Sequence, residues 1–200
     1  VVYTQLLNRR GGIEADLTVS RVANDRFWLV TGTASGTHDI AWLERHLPEG
    51  ARVTIRDITS QFCCFALWGP RAREILSPLT PARLVDEAFP YLTRQSITVG
   101  HVPVEALRVT YVGELGWELY CPVEYGQGLR RALWEAGSPQ GMLAGGYRAI
   151  ESLRLEKGYR AWGADVTPDT TPLEAGLSFA VRMEKAGGFL GRDALLAATP

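Results

Sequence analysis

The stretch Tyr111-Val112-Gly113-Glu114-Leu115-Gly116-Trp117-Glu118-Leu119-Tyr120-Cys121 decides how this chain is read. Gly113 and Gly116 suit a tight turn, because glycine tolerates the positive φ that hairpin turns demand. The flanks, Leu107 to Val112 and Trp117 to Cys121, are rich in β-branched, aromatic and aliphatic residues and read as two strands. Glu118 then projects from a strand whose other residues are apolar. A carboxylate there is costly unless donors meet it. A ligand carrying ring N–H and amino groups would supply such donors; a glutamate at a strand edge open to water would look the same in sequence.

Working outward, Ile13, Ala15, Leu17 and Val19 alternate with Glu14, Asp16, Thr18 and Ser20, the period of a half-buried strand. Gly11-Gly12 before it and Asn24-Asp25 after it are turn signals. Val1 to Leu7 is strand-like, Arg26 to Gly32 reads as a buried strand, and Ser35 to Leu47 reads as a helix with Pro48 past its end. Strands are expected at Arg52 to Ile58 and Gln61 to Trp68, then a short helix with Pro70 in its first turn. Beyond Pro90, strands are expected at Gln95 to Thr98 and Val102 to Val112. Helices follow at Glu124 to Ala136 and at Tyr147 to Lys157, the latter closed by Gly158. A strand at Leu177 to Met183 and a helix at Arg192 to Ala198 complete the chain. Strand–loop–helix occurs twice, once around Phe27 and once around Trp117, which suggests two related halves. The strands come in hairpin groups, so the expected fold class is α+β with mixed or antiparallel sheets and flanking helices. Residues 1–80 form the first lobe and 91–200 the second.

Bulk properties narrow the function. The 200 residues carry a net charge of −1, with 46% hydrophobic and 22% charged residues. Nothing basic points to nucleic acid, and no apolar run reaches membrane-spanning length. The three cysteines, Cys63, Cys64 and Cys121, lack zinc-ligand spacing and read as reduced thiols. His38, His46 and His101 are scattered and read as surface or satisfied core residues. There is no Gly-x-Gly-x-x-Gly, so no dinucleotide is bound here in a Rossmann manner. The chain opens at Val1 inside a strand-like segment and reads as a piece of a longer protein, truncated at both ends.

Three stretches taken in order carry a resemblance: Tyr3 through Asn8-Arg-Arg-Gly11-Gly12-Ile13-Glu-Ala-Asp16; Tyr111 to Glu118; and Ser152-Leu-Arg154-Leu-Glu156-Lys-Gly158 with Thr171-Pro172-Leu173-Glu174. Together they resemble the folate-dependent aminomethyltransferase family, the T-protein of glycine cleavage. The Tyr-Val-Gly-Glu-Leu-Gly-Trp-Glu and Leu-Glu-Lys-Gly-Tyr-Arg variants are similar to one branch of it, the folate-binding region of sarcosine and dimethylglycine dehydrogenases and oxidases. The resemblance implies an enzyme in which tetrahydrofolate binds between two α+β lobes and receives a one-carbon unit. It implies Asp16 as the catalytic carboxylate, with Glu118, Tyr111 and Tyr3 around the pterin. FAD would lie only in a domain outside this chain, upstream in the same polypeptide. Small-molecule substrate and folate are the implied partners. The implied setting is the cytoplasm, or the mitochondrial matrix in a eukaryote.

Arg154 and Glu156, two apart on a helix, read either as structural ion-pair formers or as site residues, and the Thr171–Glu174 segment as structural. Glycine-cleavage relatives carry a substrate arginine where this chain has Ile150, which turns the resemblance toward the sarcosine and dimethylglycine branch. A stand-alone glycine-cleavage aminomethyltransferase and a non-catalytic regulatory relative are the other readings.

Overall fold

The computed structural model describes residues 1–198 and divides the backbone into two compact units. One takes Val1–Arg56 and the chain from Arg160 onward; the other is Asp57–Tyr159.

In the discontinuous unit, β1 (Val2–Leu7), β2 (Ile13–Ala23) and β3 (Arg26–Val30) form an antiparallel sheet in the order β1-β2-β3. The alternation read along β2 is real: Ile13, Ala15 and Leu17 are buried, while Glu14, Asp16 and Thr18 are half-buried. Ile13 joins Leu7, Val166, Ala175, Leu177 and Leu195 in one apolar cluster. Helix α1 (Gly36–Arg45) follows β3 through a three-residue 3-10 turn, Thr33–Ser35.

Three sequence expectations fail here. β3 is an edge strand rather than a buried one, leaving Phe27 and Leu29 51% and 40% exposed. Arg52 to Ile58 pairs with nothing and forms no strand; Val53 has no sheet face to pack on and is 57% exposed. Leu177 to Met183 is not a strand either. A turn at Gly176 precedes a 3-10 turn, Ser178–Ala180, closed by Ala180 N–H to the Leu177 carbonyl at 3.0 Å. Its apolar side chains still serve the cluster, with Leu177 buried and Val181 and Met183 packed against it.

In the continuous unit, β4 (Phe62–Trp68), β5 (Arg94–Val99), β6 (Val102–Leu107) and β7 (Gly116–Pro122) build an antiparallel sheet in the order β4-β7-β6-β5. Trp117, Leu119 and Cys121 point to one face, where α2 (Ala72–Leu76) and α3 (Gly126–Gly137) cover them with Ile75, Leu76, Leu129 and Leu133. Each such fully buried side chain contributes about 1.5–3 kcal/mol relative to leaving it in water. α2 begins at Ala72, two residues beyond the expected proline. β7 runs through a 3-10 turn, Val123–Tyr125, into α3, repeating the β3–turn–α1 arrangement, and in both cases a glycine opens the helix.

Helix α4 (Tyr147–Glu156) closes as expected. Gly158 takes φ 65°; its N–H reaches the Leu155 carbonyl at 3.0 Å, and the Tyr159 N–H reaches that of Arg154 at 3.0 Å. These two bonds satisfy carbonyls that the helix end would leave open.

Candidate functional site

The face of the four-stranded sheet opposite α2 and α3 carries the polar groups. Strand register sets them in two cross-strand rows. Ser96, Glu105, Tyr120 and Cys64 form one row, and Arg94, Leu107, Glu118 and Ala66 the next. Glu118 sits on this face because it alternates with buried Trp117 and Leu119. The Tyr120 hydroxyl donates to Glu118 Oε2 at 2.6 Å. Burial pushes the Glu118 carboxyl above its ordinary value, and the Tyr120 bond pulls partly the other way. Beside them, Cys64 is exposed by surface area, yet its thiol is pushed up to about 12, first by desolvation and then by the Glu118 charge. Farther along the row, Glu105 is held by Arg94 and by the Ser96 hydroxyl, the latter at 2.7 Å.

Tyr111 is not on a strand. β6 ends at Leu107, and residues 108–115 make a loop rather than the tight turn expected from two glycines. The chain leaves the sheet because the Trp68 indole N–H takes the Val109 carbonyl at 3.0 Å and the Gly69 N–H takes that of Leu115 at 2.8 Å. Gly113 does adopt φ 73°, but Gly116 heads β7, where a Cβ would lie 2.0 Å from the Leu67 carbonyl oxygen. The Tyr111 ring stacks on Tyr159 with centroids 6.3 Å apart and an interplanar angle of 22°. Tyr159 is in turn fixed by Arg154, which donates to its carbonyl at 2.6 Å. Arg154 also forms an ion pair with Glu151, one helical turn back.

In the discontinuous unit, Asp16 stands directly opposite Gln5 across β1 and β2. Gln5 Nε2 donates to Asp16 Oδ1 at 2.9 Å, and Tyr3 adds a second side-chain hydrogen bond. Burial nevertheless raises the Asp16 carboxyl above its ordinary value, with these two bonds working against it. Tyr3 also stacks on Phe179 at 6.1 Å. The structure thus brings Tyr3 and Asp16 together on one sheet face. It gives Tyr111 and Glu118 different partners within the other unit.

Gln5, Cys64, Tyr120 and Tyr159 escaped the sequence reading. Period two from Glu118 places Tyr120 on its face, so that signal was available; the others follow only from register and packing. His38, expected as a surface or satisfied residue, lies half-exposed between Glu14 at 3.3 Å and Asp39 at 3.0 Å. Thr171 and Glu174 cap each other's backbone N–H groups, at 2.8 and 3.2 Å, as a structural segment should. Among the described residues no group of three or more His, Cys, Asp or Glu side chains is placed to hold a metal ion, and no helix is long and apolar enough to cross a membrane.

The family described as GCVT N-terminal domain matches residues 1–185. Mitochondrial dimethylglycine dehydrogenase of Homo sapiens is 40% identical over 193 residues, covering 96% of this chain and 22% of that protein. The 4-methylaminobutanoate oxidase (formaldehyde-forming) of Paenarthrobacter nicotinovorans is 41% identical over 199 residues, covering 100% and 24%. The chain therefore spans under a quarter of the length of these relatives. Among solved structures, the glycine cleavage system aminomethyltransferase T from Bartonella henselae superposes with a TM-score of 0.83 at 32% identity, over 98% of this chain and 52% of that one.

Proposed function

The chain belongs to the GCVT N-terminal domain family, and from that premise we propose that it binds tetrahydrofolate and passes to it a methylene unit from an imine derived from sarcosine or dimethylglycine. The observation that carries the reading is Glu118: a carboxylate on the open face of a sheet, one oxygen held by Tyr120, its carboxyl raised by burial. The donor set fits the folate. Glu118 can accept two hydrogen bonds from the amidine-like edge of a pterin, and Tyr111 offers a flat face with a polar tip.

Tetrahydrofolate, when bound, supplies the secondary amine that takes up the one-carbon unit. The carbon–nitrogen bond to the original amine breaks as the folate amine takes the carbon, and Asp16 is the group that would carry the proton from the attacking nitrogen to the departing amine, glycine from a sarcosine-derived imine or sarcosine from a dimethylglycine-derived one. The Asp16 carboxyl is raised toward the working range of a general base, and Gln5 and Tyr3 fix its orientation. Its negative charge also stabilises a cationic iminium donor.

The choice of donor is supported by two relatives whose names specify N-methylated substrates, dimethylglycine and 4-methylaminobutanoate. Ile150, where glycine-cleavage enzymes carry an arginine, points the same way. The imine would be made by an FAD-holding domain outside this chain. Calorimetric titration of the whole protein with tetrahydrofolate tests the site. Glu118→Gln should weaken binding about 10–100-fold, the worth of a hydrogen bond to a charged group. Unchanged affinity would remove Glu118 from the site.

A further inference from the structure

We propose that Tyr120, backed by Cys64, is a positioning residue that holds the Glu118 carboxylate in the conformation in which it receives the ligand. The inference rests on the reading of Glu118 as the ligand carboxylate and goes beyond it by assigning a role to two residues outside that set.

The geometry begins with register. Glu118 and Tyr120 are two residues apart on β7, so both side chains leave the same face. The Tyr120 hydroxyl lies 2.6 Å from Glu118 Oε2, the short distance expected when a hydroxyl donates to a carboxylate. That bond takes one lone pair of Oε2 and leaves the other, with those of Oε1, for the ligand's two hydrogen bonds. A glutamate has three side-chain torsions to freeze on binding, and a partner that has already frozen them removes that cost from the ligand.

The neighbours keep Tyr120 on this task. Glu105 stands directly across β6 from Tyr120 and would compete for its hydroxyl. It is instead held by Arg94 and Ser96 from β5. From the other side, Cys64 stands on β4 directly opposite Tyr120, so its thiol shares the Tyr120 face of the sheet. The thiol stays protonated at neutral pH, so it is not a second anion beside Glu118. The titratable and charged groups facing Glu118 on this sheet are therefore Tyr120, Cys64, Glu105 and Arg94. Of these, Tyr120 alone bonds the carboxylate.

The test is the pH dependence of tetrahydrofolate affinity in the whole protein, measured for Tyr120→Phe, Cys64→Ala and Glu118→Gln beside the wild type. Tyr120→Phe should bind about tenfold more weakly at neutral pH, the share of one charge-assisted hydrogen bond. It should also move the acid limb of binding upward, because the Tyr120 bond is what lowers the Glu118 value. Cys64→Ala should move both quantities in the same direction by less, and Cys64→Ser should restore them. A purely structural role for Tyr120 would leave the acid limb in place. Wild-type affinity and an unmoved limb in Tyr120→Phe and Cys64→Ala, with Glu118→Gln weak, would overturn the positioning role alone. Wild-type affinity in Glu118→Gln would overturn the site reading beneath it.

Discussion

Arg154 grips Glu151 with two of its guanidinium nitrogens, a fully buried cation against a half-exposed carboxylate, and gives a third nitrogen to the Tyr159 carbonyl. The pair is asymmetric. Removing the acid strands a buried charge, whereas removing the base frees a carboxylate that water already reaches. Glu151→Gln should therefore destabilise the fold by about 2–4 kcal/mol in chemical denaturation. A loss under about 0.5 kcal/mol, typical of an exposed pair, would contradict the argument.

The same contact reaches the candidate site, because Tyr159 is the ring on which Tyr111 stacks. Arg154→Met keeps most of the buried volume but frees the Tyr159 carbonyl. It should weaken tetrahydrofolate binding severalfold in protein that is still folded, as a loosened aromatic wall would. Wild-type affinity in a folded variant would separate Tyr111 from Arg154.

Two glycines predict opposite magnitudes. Gly158 has positive φ but open space where a Cβ would go, so Gly158→Ala should cost only the left-handed strain, about 1–2 kcal/mol. At Gly116 a Cβ would lie 2.0 Å from a backbone oxygen of the neighbouring strand. Gly116→Ala must push β4 and β7 apart and should cost more than about 3 kcal/mol. Equal denaturation midpoints for the two variants would show that the β4–β7 approach is looser than described.

Legibility followed locality. The alternation along β2 and the Gly158 cap are short-range signals, and both matched the structure. Arg52 to Ile58 has strand composition, but a strand requires a neighbouring edge, and composition is silent on that. Leu177 to Met183 reads as apolar and extended, yet Gly176 turns the chain and the apolar residues pack from a 3-10 turn. In the site, Glu118 is legible as an acid among apolar neighbours, whereas Asp16 shares its strand face with Glu14, Thr18 and Ser20 and is picked out only by the family resemblance. Gln5, Cys64 and Tyr159 are marked by neither, because what matters about them is the residue opposite or above, and strand register is a tertiary fact. The β-forming neighbours of Tyr111 predict a strand there, whereas Trp68 and Gly69 draw that segment off the sheet.

Asp16 and Glu118 both carry carboxyls raised above 3.8 and 4.5, in each case through burial first. A carboxylate with a raised value binds its proton more tightly folded than unfolded. Its ionisation therefore opposes folding: the handicap is absent below the unfolded value, sets in as pH rises through it, and is complete above the folded value. Asp16→Asn and Glu118→Gln should each be more stable than the wild type at about pH 7 and lose that advantage by about pH 3. Variants less stable than the wild type at neutral pH would contradict the sign of both shifts.

The account turns on one-carbon transfer with Asp16 as its proton-handling group. The measurement that reaches it most directly is formation of methylenetetrahydrofolate by the whole protein, supplied with dimethylglycine or sarcosine and tetrahydrofolate, in wild type and Asp16→Asn, with folate affinity measured alongside. The account predicts methylenetetrahydrofolate from the wild type, and from Asp16→Asn a rate lower by about 10²–10⁴-fold at nearly unchanged affinity. Wild-type rates in Asp16→Asn, or no folate product from the wild type while the methylated amine is consumed, would contradict it.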